Sequence, residues 1–146
     1  MKWWWVLIAI LVLIIILILI FDRQANMLRE LKSRYRAMIE VLRKTGDPLW
    51  KPVLNEAIIT GIQGKKDGVI GSNVNKGYEI YICLDGDDVN SAMYILIHEM
   101  AHMTVPEYDH TTAFWTNFKK LKEICIQAGL YQKGGERNYC GDTIRD

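Results

Sequence analysis

Residues 3–21 are nineteen consecutive apolar residues, from Trp3-Trp4-Trp5 to Phe21, with no charge among them. At about 1.5 Å per residue the run makes roughly 28 Å of helix, close to the roughly 30 Å hydrocarbon thickness of a bilayer. A buried core helix is not expected at this length of uninterrupted apolar sequence. A cleavable signal has a shorter apolar centre, roughly 7–15 residues, followed by a small-x-small cleavage site, whereas Phe21-Asp22-Arg23-Gln24 follows here. Residues 1–21 are therefore expected to stay as a transmembrane anchor, with the three tryptophans and Lys2 at headgroup level.

Lys2 is the one basic residue on the short flank, against Arg23, Arg29, Lys32, Arg34 and Arg36 on the long one. By the positive-inside rule this is expected to be a single-pass membrane protein whose C-terminal part faces the cytoplasm. Cys83, Cys125 and Cys140 form no CxxC pair, and three cysteines cannot all bridge within one chain, which fits a reducing compartment. There is also no Asn-x-Ser/Thr acceptor.

Residues 22–45 repeat apolar positions at helical spacing: Leu28, Leu31, Tyr35, Met38, Ile39 and Leu42. Seven Lys/Arg against Asp22, Glu30 and Glu40 make the segment net +4. Such a basic amphipathic juxtamembrane helix either lies on anionic lipid or packs on the following domain with its basic side in water. Gly46 and Pro48 stop it, so a second domain is expected over 46–146. There, 69–74 and 78–84 read as antiparallel strands around an Asn75-Lys76-Gly77 turn, while 49–64 is ambiguous. A helix capped by Asp88 or Asn90 runs to about Met103. A second, from about Thr111 to Ala128, carries a core stripe of Phe114, Phe118, Leu121, Ile124 and Cys125. The tail over 138–146 reads as a strand or surface loop.

His98-Glu99-Met100-Ala101-His102 places two imidazoles one helical turn apart, able to reach a single ion at about 2.0–2.1 Å. Glu99 falls beside the position of a water on that ion, where a carboxylate can take a proton during attack on a carbonyl. The only other histidine is His110, and a catalytic zinc site wants three protein ligands and one open position. His110 is the expected third ligand, with Glu107 and Asp109 as oxygen alternatives. Tyr108 is either a donor to a developing oxyanion or a partly buried turn aromatic, and a Cys140 thiolate from the tail would close the site as a fourth ligand.

Ile70-Gly71-Ser72-Asn73-Val74-Asn75-Lys76-Gly77-Tyr78-Glu79-Ile80, then HEMAH, His110 and Phe114-Trp115, resemble the WLM family of zinc metallopeptidases, which is related to SprT-like proteases. The resemblance covers residues 69–130. It implies an α+β, minimal zincin-like fold with one Zn2+ at His98, His102 and His110 and Glu99 as base. Asn138-Tyr139-Cys140-Gly141-Asp142-Thr143-Ile144 resembles the close of small metallopeptidases of large DNA viruses. Seven residues separate His102 from His110 where five with a glycine are usual in the family, and Val105 stands where a metzincin needs glycine. Relatives cleave proteins crosslinked to DNA, but residues 46–146 hold ten Lys/Arg against fourteen Asp/Glu, net −4, and charge does not support direct nucleic-acid binding.

The expected partners are a protein or peptide substrate and the membrane through residues 3–21. The leading reading is a membrane-anchored zinc peptidase. A catalytically silent zincin-fold membrane or virion structural protein is the alternative, and hydrolysis of a non-protein amide such as a cell-wall peptide would require the opposite topology.

Overall fold

The computed structural model describes residues 3–146; Lys2, the basic residue on the short flank, lies outside the described residues. The chain folds as α1 (Trp3–Thr45), a 3-10 turn (Pro48–Leu54), β1 (Ile58–Ile62), β2 (Gly71–Val74), β3 (Glu79–Cys83), α2 (Val89–His102), α3 (Thr112–Gln127), β4 (Arg137–Tyr139) and β5 (Asp142–Ile144). This is the expected α+β class with a long apolar N-terminal helix.

No glycine or proline interrupts residues 3–45, so α1 runs unbroken for 43 residues until Gly46, at φ +66°, and Pro48 end it. Its apolar end has a mean hydropathy of 3.4 and buries nothing, which is the character of a membrane span or a signal and not of a core helix. Farther along, Met27, Leu31, Tyr35, Met38, Ile39 and Leu42 are buried in the same core as α2. Burying each such side chain is worth roughly 1.5–3 kcal/mol at most, far more than helix propensity supplies. Of the two placements expected for the basic segment, the packed one is found, and Arg29, Arg36, Arg43 and Lys44 are left in water. The core thus crosses the expected boundary between 45 and 46.

β2 and β3 pair antiparallel with Val74 opposite Glu79, as the strand pattern predicts. Asn75 and Lys76 take φ of 50° and 51° in the connecting turn, and Gly77 takes +102°. β1 was hidden in the ambiguous stretch: it pairs parallel with β3, Ile58 opposite Glu79, giving the order β1-β3-β2. Parallel pairing is a tertiary property that a five-residue segment does not announce. Because β3 is central, β2 is an edge strand, and α2 packs across β2 and β3.

The tail forms the β4–β5 hairpin. Behind it the Asp146 side chain is only 4% exposed and accepts hydrogen bonds from Tyr131 Oη at 2.5 Å, the Gly134 amide at 2.7 Å and Arg137 Nη1 at 3.0 Å. Lys122 Nζ lies 3.4 Å away. Burial alone would raise the pKa of Asp146, but these donors and the two cations hold it below the usual carboxylate range.

The cysteine reading is corrected. Cys83 and Cys140 form a disulfide across 57 residues, and Cys125 alone is free, buried in α3 with its thiol pushed up to about 12 by burial. An odd count leaves one cysteine over without forbidding a bridge between the other two, and their separation carries no motif. The bond also removes Cys140 as a thiolate ligand.

Closing a 57-residue loop predicts a stabilisation of about 4 kcal/mol at the entropic limit. Without reductant, one thiol per chain should react in denaturant, and three after reduction, when the melting temperature should also fall. Three reactive thiols without reductant would show the bond absent. Because the Asp146 pKa is depressed, its contribution is present above the unfolded value of about 4 and is lost as pH falls through the lower folded value. The stability gap between wild type and Asp146→Asn in micelles should be about 1.5–3 kcal/mol at neutral pH and shrink in acid. A gap independent of pH would contradict the assignment.

Candidate metal centre

Asp88 caps α2 by accepting from the Ser91 amide at 2.9 Å. Ala92, Met93, Leu96, Ile97, Met100 and Ala101 are fully buried, so the helix cannot rotate without exposing them. That fixes the remaining face, where His98 and His102 project one turn apart. At the helix end Thr104 donates to the Ala101 carbonyl at 2.7 Å, and Asn117 of α3 donates to Thr104 Oγ1 at 2.9 Å. Thr111 caps α3 by accepting from the Phe114 amide at 3.2 Å, and His110 is the residue immediately before that cap.

The three imidazoles meet. His110 Nε2 lies 2.9 Å from His98 Nε2 and 3.1 Å from His102 Nε2, and the three candidate ligand atoms all lie within 4.8 Å of one another. Nitrogens around a tetrahedral ion at about 2.0–2.1 Å sit about 3.3 Å apart, so the set fits a metal of that size. Burial, reinforced by the neighbouring rings, lowers the pKa of His98 to about 3. Burial, His110 and Lys76 lower that of His102 to about 4. Both rings are therefore neutral at pH 7, with lone pairs available to a cation, as ligation requires. Neither Glu107 nor Asp109 belongs to this group.

Phe114 of α3 floors the cluster, its ring centroid 4.3 Å from that of His102, 4.7 Å from His110 and 5.0 Å from His98. The stripe expected as plain core thus also packs against the three histidine rings, and Phe114's place four residues after His110 was the available clue. Trp115 stands beside His110 at 5.4 Å. Tyr108 is neither partly buried nor part of the cleft wall: it is 78% exposed, and its ring faces Lys76 Nζ at 4.4 Å.

Glu99 is 8% exposed, and its carboxylate accepts no hydrogen bond from any described residue. Burial pushes its pKa up to about 7, where a carboxyl can both take and give a proton. It opens on a cleft of about 1020 Å3 that runs from His98 between Val69 and the start of β2 at Gly71 on one side and the α3 side chains Trp115 and Phe118 on the other, toward Ile144 in the tail. Two residues whose roles the sequence did not reveal hold Glu99 in place. Asn73 Nδ2 donates to the Glu99 carbonyl at 2.9 Å. Gly71 leaves room for the side chain, since a Cβ there would lie 2.4 Å from Ile95 Cγ2 and 2.9 Å from Glu99 Oε1.

A family model described as WLM domain matches residues 27–144. The chain is 35% identical over 97 residues to an uncharacterized protein of Acanthamoeba polyphaga mimivirus, covering 59% of this chain and 49% of that one. It is 33% identical over 85 residues to an uncharacterized protein of Invertebrate iridescent virus 6, covering 51% and 47%. The chain therefore spans about half the length of the curated relatives it matches. No solved structure matches it.

Gly71→Ala should push Ile95 and the Glu99 carboxylate apart from β2 and destabilise the fold by about 1–3 kcal/mol in denaturant unfolding. A variant as stable as wild type would show that β2 does not sit this close to α2.

Proposed function

The chain belongs to the WLM domain family, and from that premise we propose that it is a membrane-anchored zinc peptidase. His98, His102 and His110 hold one zinc ion in this reading, and Glu99 is the general base. The observation that carries it is the convergence of three imidazole nitrogens, one of them from His98, which lines a cleft together with the otherwise unpartnered Glu99 carboxylate. Zinc, when bound, supplies a Lewis acid that polarises a carbonyl and acidifies water.

An extended peptide laid along the free edge of β2 enters the cleft with its scissile carbonyl toward the histidines. Glu99 Oε takes the proton from the attacking water and returns it to the leaving amide nitrogen as the C–N bond breaks. Trp115 and Phe118 exclude solvent from that exchange and give an apolar side chain a surface to pack on. Residues 3–21 restrict the enzyme to substrates close to a bilayer.

Two sides of the membrane have support. The basic flank at Arg23, Arg29, Lys32, Arg34 and Arg36 favours a cytoplasmic domain. The Cys83–Cys140 disulfide favours an oxidising compartment. Protection of the domain from added protease in sealed vesicles separates them.

The full chain in detergent micelles should bind about one zinc per chain and cleave unfolded protein. Glu99→Gln should keep the zinc and lose proteolysis by about 10²- to 10⁴-fold. Undiminished cleavage by Glu99→Gln would remove the proposed base, and an inert wild type with full zinc would leave only a scaffold.

A further inference from the structure

The residues from Met103 to Asp109 have to turn the chain through a wide arc between α2 and α3 and return His110 to within 3.1 Å of His102. They form no helix or strand of their own that would set this curvature. Asn117 of α3 holds Thr104 near the start of the arc, and Lys76, from the turn between β2 and β3, reaches the backbone farther along. Its Nζ lies 2.8 Å from the Val105 carbonyl, 2.9 Å from Glu107, 3.0 Å from Pro106 and 3.4 Å from His102. The ring of Tyr108 closes the remaining side at 4.4 Å.

An ammonium has three N–H groups, so four carbonyls and an aromatic face saturate it. Carbonyl oxygens turned toward a common point repel one another, and without a cation at their focus that arrangement is lost. The His102 carbonyl is among those an α-helix leaves unpaired at its C-terminus, where positive charge is favoured. Lys76 itself sits at φ 51°, a conformation that L residues other than asparagine seldom take. The same turn is pinned at two further points. Asn73 accepts from the Gly77 amide at 2.6 Å while donating to the Glu99 carbonyl, and a Cβ on Gly77 would lie 2.1 Å from Met103 Cε.

We propose that Lys76 is a positioning residue of the metal centre, gathering the carbonyls of residues 102 and 105–107 onto one ammonium so that His110 meets His98 and His102. The proposal rests on the reading of these histidines as zinc ligands. It explains how seven intervening residues with no helix or strand of their own still deliver a third ligand. A bare charge effect has the opposite sign. A cation close to the site repels a dication, so losing it would tighten zinc binding, whereas losing a clamp weakens it.

The test is zinc competition against a chromophoric chelator, using the full chain in detergent micelles, for wild type, Lys76→Met, Lys76→Arg, His110→Ala and the Lys76→Met/His110→Ala double variant. Lys76→Met should bind zinc roughly 10- to 100-fold more weakly than wild type, the scale on which residues supporting metal ligands act. Lys76→Arg, which keeps the charge and the donors, should stay within about threefold of wild type. In the His110→Ala background the same Lys76→Met change should matter by less than about twofold, because the ligand it positions is already gone. Equal losses in both backgrounds would make Lys76 a general structural residue, and tighter binding by Lys76→Met would make it only a repelling charge; either overturns the proposal. Should Lys76→Met melt before it can be assayed, Lys76→Arg decides, since a folded arginine variant with more than tenfold weaker zinc binding has lost the clamp's expected rescue. If wild type takes up no zinc, the metal reading fails and this one with it. If His110→Ala weakens binding while Lys76→Met does not, only the role of Lys76 fails.

Discussion

Three imidazole nitrogens drawn within 4.8 Å of one another set their lone pairs in mutual repulsion, and two helices and a strand turn hold them there. Two of the rings owe their places to a helix whose other faces are buried, so α2 can neither roll nor slide. The third is delivered by a loop of the opposite character, irregular and partly exposed, which borrows its shape from a strand turn and from the cap of α3. Phe114 lies beneath all three rings and ties the two halves together.

The parts of this arrangement visible in the sequence are those that local rules govern. His98, Glu99 and His102 are readable because helical spacing alone puts the two imidazoles together. Asp88, Thr111 and Gly46 mark helix ends because capping is decided within a few residues. The β2–β3 hairpin was legible for the same reason. What escaped was tertiary. β1 becomes a strand by pairing in parallel with β3, and Ile-Ile-Thr-Gly-Ile, though rich in β-branched residues, is too short to announce that partner or direction. The Cys83–Cys140 bond joins the end of one sheet to the tip of a distant hairpin, and a count of three cysteines pointed the other way.

Gly71, Asn73 and Lys76 are an intermediate case. They stood in plain view within the stretch that carries the family resemblance, yet no local rule assigns them a task. A glycine in a strand is ordinarily a weak point, but here it is the gap that admits Glu99. A lysine in a hairpin turn is ordinarily a solvated charge, but here it faces inward onto carbonyls. Composition and periodicity describe what a residue prefers, and these residues are chosen for what stands opposite them.

The unbroken course of α1 gives the molecule a mechanical property. The rod that emerges bare at one end is cemented into the globule at the other, with no glycine, proline or loop between. If residues 3–21 lie in lipid, as proposed, the head has no hinge of its own and follows the spin, drift and tilt of the rod as one piece. In the proposed reading the cleft then keeps a standoff from the bilayer set by the length of the rod, and that standoff decides which segments of a target come within its reach.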